Sequence, residues 1–405
     1  MTTARSVWTA LSTAARPFGD VYTGYMLRHH LRFLVLTFVV ILAAVTAINV
    51  SGEIGRVWAE GKAGGDIVAL QRTALYVWCR LLDNGSQVFA ISFLLGLVWA
   101  ETAHAFGGRL LMVRLVGRSF LHRSTALTIL CALAVPTGLA LDNVIRPWAF
   151  MTLSHEGLGE YGWTYAAARA PVRRWYAFGD VVVRVVVHDA PDPVFEDAVL
   201  YDFDANGDLA AVATAEAILP PGPDRPTWTL RGATRWRIGD PADPAFGMPA
   251  ARQRPGAEVP VQALGFAISP LWLRYREIEP KYVPITDLWR LSRDPDLPAN
   301  RPKYGPWLAI RATQAFTLGL IGLMVGAVFA LALDRRGLIV AVGAALLTAY
   351  CGYFLSRISA LMVENTTTAP FAAASVLPVA AAIGLWHLIR HLRRRERAPR
   401  GLVGG

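Results

Sequence analysis

Six long apolar stretches, three before and three after one polar segment, constrain the fold of this chain more than any other feature. The polar segment runs from Asn143 to Gly305. An apolar stretch of about 20 residues is long enough to cross the hydrocarbon core of a membrane as a helix. We therefore predict a polytopic α-helical membrane protein with six transmembrane helices (3+3) and a folded domain inserted between the third and the fourth. The predicted spans are Leu31–Val50, Val88–Ala105, Thr125–Leu141, Trp307–Leu333, Gly337–Leu355 and Pro370–Ile389.

The alternative is a large soluble protein with six buried helices. Charged residues are almost absent from the stretches, since Leu31–Val50 has only Arg32, at its edge, and Leu338–Tyr353 has none. This hydropathy pattern favours membrane helices.

The positions of the arginines predict the orientation in the membrane. Residues 104–123 contain four arginines and no acidic residue, and the tail from Arg390 contains six arginines against Glu396 alone. Because basic residues accumulate in cytoplasmic loops, we expect both termini and the 104–123 loop in the cytoplasm. The insert then lies outside the cytoplasm, in the periplasm if the cell is Gram-negative. The predicted parts are a transmembrane half (1–142), the insert (143–305) and a second transmembrane half with a basic tail (306–405).

The net charge of +10 follows the same division. The insert has 18 Lys/Arg and 20 Asp/Glu residues, so the rest of the chain has 22 basic and 10 acidic residues. The basicity belongs to the membrane part, where cations lie near anionic headgroups, and it indicates no nucleic-acid partner.

No motif for catalysis or metal binding is recognisable in the sequence. The P-loop, H-E-x-x-H, C-x-x-C and G-x-S-x-G patterns do not occur. Cys79, Cys131 and Cys351 fall in or beside apolar helices, so we expect no disulfide framework. Met1–Pro17 lacks the shape of a signal peptide, and the first span is expected to stay as an anchor. We predict a non-catalytic subunit with no cofactor and no metal, which takes its energy from a partner.

The insert has the pattern of an all-β domain. Strands are predicted where β-branched and aromatic residues recur between turn residues, and Asn206-Gly207 is a turn between two of them. With no helix expected between Gly162 and Ile268, the spacing predicts a sandwich or jelly roll. A short helical return is expected over Glu277–Arg293. The predicted strands are Gly162–Ala167, Asp180–Asp189, Asp197–Asp204, Leu209–Ile218, Thr227–Ile238 and Val259–Ile268.

Several segments, in this order, resemble one family. Gly24–Arg28 leads into the first span as an R-Y pair does in that family, with Gly24 in place of the arginine. Val199–Leu209 and Ala213–Ala217 are similar to its paired strands. Together with the 3+3 layout, these segments resemble the LptF/LptG permeases that extract lipopolysaccharide, over nearly the whole chain. Further matching residues are Arg311, Pro370 and Pro378.

The resemblance implies a jelly-roll-like β domain over a half-barrel of six helices. It also implies four partners: an LptB-like ATPase dimer, a second LptF/LptG-type permease in a heterodimer, an LptC-like periplasmic bridge, and lipopolysaccharide or a related glycolipid as cargo.

The resemblance places the ATPase-coupling element in the 104–123 loop. In the family a short helix there carries a glutamate, and an alignment on Gly117 puts Arg109 at that position, which reverses the charge. Either the ATPase has a complementary acidic groove, or the sister subunit carries the usual coupling. Alternatively, the arginines only enforce topology. The candidate coupling residues are Arg109, Leu110, Leu111, Met112, Arg114 and Gly117.

A lipid with phosphates needs cations at the outer mouth of the cavity. The candidates are Arg56, Lys62, Arg146 and Arg311. The acidic neighbour Glu60 is also typical of an ordinary exposed loop, and Arg311 could equally extend to the headgroups.

Two sets of apolar side chains in the insert are candidates for a groove that receives acyl chains. Val199, Tyr201 and Phe203 alternate along one strand, and Trp228 and Leu230 along another, so each set shares a face. Alternatively, these side chains fill the core of a sandwich.

The sequence thus predicts the permease subunit of an ATP-driven lipid exporter, which passes lipopolysaccharide through the β domain to a bridge protein. Two alternatives stay open. One is a membrane-anchored scaffold whose β domain binds a protein by strand addition. The other is an exporter of a different glycolipid.

Overall fold

The computed structural model describes residues 21–108, 124–188, 194–221, 227–237, 249–252, 258–260, 267–299, 303–365 and 369–397. The chain divides into two compact units. One consists of Met1–Phe150 with Pro306–Gly405, and the other of Met151–Gly305.

Eleven α-helices are assigned within the described residues, and the six candidate membrane spans come from the longest of them. These spans are α1, α3, α4 with α5, α9, α10 and α11, which confirms the six predicted spans. A π-helical turn, Leu141–Ile145, joins α4 to α5. The helices are α1 (Val21–Ser51), α2 (Ile54–Lys62), α3 (Asp66–Phe106), α4 (Thr125–Ala140), α5 (Arg146–His155), α6 (Gly159–Arg169), α7 (Pro270–Tyr275), α8 (Ile285–Leu291), α9 (Tyr304–Arg336), α10 (Leu338–Glu364) and α11 (Pro370–Arg397).

We call the ends of the spans that the chain joins to Met151–Gly305 the insert side, and the opposite ends the far side. α3 is longer than the predicted span Val88–Ala105 because it continues on the insert side back to Asp66, where the short helix α2 packs against it. Gly61 of α2 lies so close to Ala69 of α3 that a Cβ at Gly61 would be 2.7 Å from the Ala69 Cα.

The apolar core of the helical unit lies between α3, α4, α9 and one face of α1 and α10. Leu94 and Leu97 of α3 are fully buried there, together with Val325 of α9 and Ala345 of α10. The remaining surfaces of α10 and α11 are apolar and exposed in the isolated chain, as expected for helices that contact lipid or other helices.

Glycines allow the closest helix contacts in this unit. A Cβ at Gly96 of α3 would lie 2.9 Å from Leu34 Cδ2 and 3.0 Å from Leu34 Cα of α1. In α9, Gly322 and Gly326 form a G-x-x-x-G pattern that faces α4, and a Cβ at Gly322 would lie 2.9 Å from the Cys131 sulfur. Small residues at such positions let membrane helices approach and gain packing contacts.

An antiparallel sheet forms the core of the insert, as predicted. Its described strands follow the order β1-β2-β3-β4-β5-β8, and β6 pairs with β4 and β7. The strands are β1 (Arg173–Phe178), β2 (Val181–His188), β3 (Val194–Phe203), β4 (Leu209–Leu219), β5 (Thr229–Arg231), β6 (Thr234–Arg237), β7 (Pro249–Arg252) and β8 (Glu258–Pro260).

The turn between β3 and β4 forms at the predicted Asn206-Gly207. Gly207 has a φ of 86°, a conformation that glycine adopts without strain. The Asp204 carboxylate accepts hydrogen bonds from the backbone N–H groups of Asn206 and Asp208, at 2.9 Å each, and so holds the turn.

Three strand predictions are wrong or incomplete. Residues 162–167 lie in helix α6, where Gly162 packs so closely against the backbone of Gly157 that a Cβ would lie 2.2 Å from it. Thr227–Ile238 is divided into β5 and β6 at Gly232, which has a φ of 65°. Of Val259–Ile268, the strand β8 covers only the first two residues, and residues 261–266 lie outside the described part of the chain.

One face of the sheet is covered by the short helix α7. Tyr176 and Phe178 of β1 pack edge-on against Trp272 of α7, with ring centroids 4.9 and 6.1 Å apart. In the adjacent strands their cross-strand partners Val183 and Val181 are also buried. The core of the insert therefore lies between this face and α7.

Candidate functional site

The predicted coupling residues lie outside the described residues. Arg109, Leu110, Leu111, Met112, Arg114 and Gly117 all fall between Gly108 and Ser124, where the described chain is interrupted.

A buried ion pair lies on the insert side of the helical unit. The Asp83 carboxylate of α3 is fully buried and accepts a hydrogen bond from Arg146 Nε of α5 at 3.1 Å. Gln87 Nε2 donates to the same carboxylate at 3.1 Å, and Arg80 Nη1 lies 3.8 Å from it. Arg146, one of the predicted phosphate ligands, is therefore paired inside the protein.

A second buried contact joins α9 to the π-helical turn. Arg311, another predicted phosphate ligand, is 5% exposed and donates a hydrogen bond from Nη2 to the backbone carbonyl of Asp142. Ser86 of α3 donates to the Asp142 carboxylate. A π-helical turn interrupts the regular helical hydrogen bonding, which leaves backbone carbonyls available for side chains. Asp142 thus connects α3, the third span and α9.

An asparagine pair extends these contacts to the first helix. Asn49 Nδ2 of α1 donates to Asn84 Oδ1 of α3 at 2.9 Å, and Asn84 Nδ2 donates to Thr46 Oγ1 at 3.2 Å. We call Thr46, Asn49, Asp83, Asn84, Asp142, Arg146 and Arg311 the polar network. Its residues belong to four spans, namely α1, α3, α4 with α5, and α9, and its hydrogen bonds join them on the insert side.

The other two predicted phosphate ligands are accessible. The side chains of Arg56 and Lys62, on α2 and at its end, are 59% and 62% exposed. Each has an acidic neighbour four residues on, since Arg56 Nε lies 3.2 Å from Glu60 and Lys62 Nζ 4.0 Å from Asp66. Exposed pairs of this kind are weak, worth about 0.3–0.5 kcal/mol, so both cations can exchange partners.

The five groove candidates do not lie together. Val199 and Tyr201 of β3 lie beside Thr214 and Val212 of β4, on the face of the sheet opposite to α7. Leu230 lies beside Ile218, further along β4, and is buried like Trp228. Trp228 packs against Phe195 with ring centroids 5.5 Å apart and donates a hydrogen bond to the Ile268 carbonyl at 2.9 Å. Trp228 and Leu230 therefore fill the core, as the alternative interpretation had it.

The face opposite to α7 is largely apolar and partly open, with the charged side chain of Arg184 between Trp175 and Val199. Opposed residues of antiparallel strands have side chains on the same face, so Tyr201 lies between Val182 of β2 and Val212 of β4. Trp175 of β1 is 52% exposed, and its ring stacks on Tyr201 at 5.7 Å between centroids. Phe203, at the end of β3, is half-buried. We call the surface formed by Trp175, Val182, Val199, Tyr201, Val212 and Trp236 the open β face.

Sequence reasoning missed Trp175 and Trp236 on this face and Asp83 in the polar network. A signal existed for Asp83, because an aspartate in the middle of a long apolar helix needs a partner. Trp175 and Trp236 had no such signal, since their place on the face depends on strand register. Among the described residues, no group of His, Cys, Asp and Glu side chains is arranged to hold a metal ion.

The fold and the site define a class: a multi-pass membrane protein that carries a β-sheet domain with an open apolar face. The family model described as lipopolysaccharide export system permease LptF/LptG matches residues 28–391. The chain therefore belongs to the LptF/LptG family of lipopolysaccharide export permeases, whose members are non-catalytic transmembrane subunits. No curated protein matches the chain.

Proposed function

We propose that this chain is one permease of an ATP-driven exporter that extracts lipopolysaccharide from the inner membrane. A second permease of the same family would complete the cavity, an LptB-like ATPase dimer would supply the energy, and an LptC-like protein would receive the lipid. The observation that carries the proposal is the family match over residues 28–391, in a chain with six candidate spans.

The orientation proposed from the arginines fits this role. With the 104–123 loop and both termini in the cytoplasm, the loop can contact the ATPase. The insert then lies in the periplasm, where the lipid must be handed over, and the insert side corresponds to the outer leaflet.

The open β face is the proposed path for acyl chains in the insert. The opposite face is covered by α7, whereas on the open β face Trp175 is exposed and Tyr201 is half-buried, so this face offers accessible apolar side chains. Trp175 and Tyr201 supply broad apolar surface, and Val182, Val199 and Val212 lie beside them. Accessible apolar area of this kind is typical of ligand and lipid sites.

We propose different roles for the two pairs of cations. Arg56 and Lys62 are exposed, so they can meet lipid phosphates. Arg146 and Arg311 are held inside the polar network, where they fix the helices that surround the cavity. Removing Arg56 and Lys62 should therefore weaken lipid binding without unfolding the protein.

A photo-crosslinking experiment tests the proposed lipid path. A benzophenone amino acid replaces Tyr201 on the open β face, and Asn206, exposed at the tip of the same hairpin, is the matched control position. In membranes that contain the whole complex, we expect a crosslink to lipopolysaccharide at position 201 that requires ATP, and none at 206. A crosslink at 201 to protein alone would instead support the scaffold alternative.

A further inference from the structure

A buried histidine lies at the far side of α1, away from the polar network. The His30 side chain is 1% exposed. Its Nδ1 lies 2.9 Å from the carbonyl oxygen of Met26, one turn earlier, and its Nε2 lies 3.1 Å from Glu101 Oε1 of α3. The imidazole therefore links the two helices.

Both ring nitrogens of His30 face groups that accept hydrogen bonds. A backbone carbonyl can only accept, and an ionised carboxylate can only accept. The two contacts are both satisfied when His30 carries a proton on each nitrogen, or when Glu101 is protonated and donates to Nε2. In either arrangement the pair holds one proton more than a neutral histidine beside a carboxylate. The geometry thus describes a proton-binding pair.

A second histidine makes a parallel link. His29 Nε2 donates to the backbone carbonyl of Ala100 at 3.1 Å, and its ring lies 5.8 Å from the ring of His104, measured between centroids. We call His29, His30 and Glu101 the histidine clamp. It joins α1 to the last two turns of α3, and α3 ends at Phe106, just before the 109–123 segment.

Few other ionisable groups surround the clamp. Tyr25 of α1 stacks on His29 and His104 of α3 lies beside it, whereas Arg28 and Arg32 of α1 are exposed. The helix α4 packs along α1, and its only ionisable side chain is Cys131. The helix α10 packs along α3 and has no ionisable residue over its first three turns, and Asp334 and Arg336 at the end of α9 are exposed. Glu101 is thus the one carboxylate that α1, α3 and α4 contribute at this level within the described residues.

We infer that the histidine clamp is a proton-dependent positioning site, which fixes the far end of α3 against α1 and so sets where the coupling loop begins. This inference rests on the proposed function, because it takes the 109–123 segment as the contact with the ATPase. Glu101 then acts through His30 and does not itself meet the ATPase. When the clamp opens, ATP hydrolysis continues but moves less lipid.

The test uses the complete exporter in proteoliposomes and measures lipopolysaccharide delivered per ATP hydrolysed. Glu101→Gln and His30→Gln each keep a side chain of similar size but remove the charged pair. We expect the amount of lipopolysaccharide delivered per ATP to fall about tenfold in either variant. A tenfold change corresponds to the loss of roughly one charge-assisted hydrogen bond. The double variant should show the same fall in lipopolysaccharide delivered per ATP as either single variant, since both substitutions remove the same interaction. His387→Gln, an exposed histidine near the same end of α11, is the matched control.

The pH profile separates positioning from a simple loss of stability. In the unaltered complex, the lipopolysaccharide delivered per ATP should fall as alkaline pH removes the proton from the clamp. In the Glu101→Gln complex, the same quantity should not change over this pH range. If the complex assembles and both single variants keep the full ratio and the original pH profile, the inference is wrong. If no ATPase assembles with the unaltered chain, the proposed function fails instead.

Discussion

The buried charged side chains of the polar network contact an opposite charge or a backbone carbonyl. A charge in a bilayer is tolerated when it contacts an opposite charge or backbone polar groups within the protein. Asp83 meets Arg146, and Arg311 meets the Asp142 carbonyl, so the polar network satisfies charges that would otherwise be costly. We therefore propose that they hold helices together, and we expect their removal to affect stability before transport.

The Asp83–Arg146 pair gives the first prediction. Asp83→Asn removes the ionised carboxylate that Arg146 and Arg80 contact, and breaking a buried pair costs about 3 kcal/mol. Glu60→Gln, in the exposed pair with Arg56, should cost less than about 1 kcal/mol. The measurement is the thermal unfolding midpoint of the protein in detergent. Equal losses in the two variants would show that the network does not stabilise the helices.

The β3–β4 turn gives a prediction with a defined pH dependence. Hydrogen bonds from the backbone N–H groups of Asp208 and Asn206 hold the pKa of Asp204 below its usual value. The carboxylate therefore stabilises the turn above the pKa of a free aspartate, and this contribution is lost as the pH falls through the lower folded-state pKa. Asp204→Ala should thus lower the unfolding midpoint at neutral pH and make little difference in strong acid. A loss that does not depend on pH would rule out the carboxylate as the cause.

At the scale of helices, glycine contacts decide how closely α9 packs on α4. Gly322→Leu places its first side-chain carbon 2.9 Å from the Cys131 sulfur and 3.0 Å from a Phe93 ring carbon, so the helices must separate. Overpacking of this kind costs about 1–3 kcal/mol.

The matched control for Gly322→Leu is Gly343→Leu on α10, where a Cβ meets no atom within 4 Å. The control should keep or slightly raise the unfolding midpoint, because leucine forms helices better than glycine. The comparison is made on the isolated chain in detergent, where no partner helix contacts α10. The packing account is contradicted if both variants unfold at the same temperature.

The sequence predicted the helical elements well because their length and apolar composition are local properties. It predicted less about contacts, since Arg146 and Asp83 are 63 residues apart and Arg311 and Asp142 are 169 apart. The periodic pattern of a sequence reports on neighbouring residues and does not reveal contacts over such separations. Helix α6 was also taken for a strand. Its Tyr161 contacts Tyr282 at a separation of 121 residues, another tertiary contact that the local sequence does not reveal.

The groove candidates illustrate a second limit at this scale. Alternation along β3 correctly places Val199 and Tyr201 on one face, since side chains alternate in any strand. Which face is covered depends on α7, nearly 70 residues away in sequence. The sequence alone therefore left both faces open, and it combined partly accessible residues with residues that are buried.

For the whole molecule, the coupling loop makes the sharpest prediction from sequence. Arg109 stands where the family resemblance places a glutamate. If the partner ATPase has a co-adapted acidic groove, Arg109→Glu should reduce the ATPase that co-purifies by about tenfold, since like charges then meet. Arg393→Glu, in the exposed basic end of α11, is the matched control and should leave the recovery unchanged. A higher recovery with Arg109→Glu would mean that the groove is basic and the co-adaptation idea is wrong.

The central claim is that this permease works as part of an ATP-driven lipid exporter. The most direct test is a pull-down of the tagged chain from native membranes in mild detergent, with mass spectrometry of both proteins and lipids. We predict recovery of an LptB-like ATPase, a second permease of the LptF/LptG family and bound lipopolysaccharide. Recovery of the chain with neither an ATPase nor a phosphorylated glycolipid would contradict the claim and leave the anchored β-domain scaffold in its place.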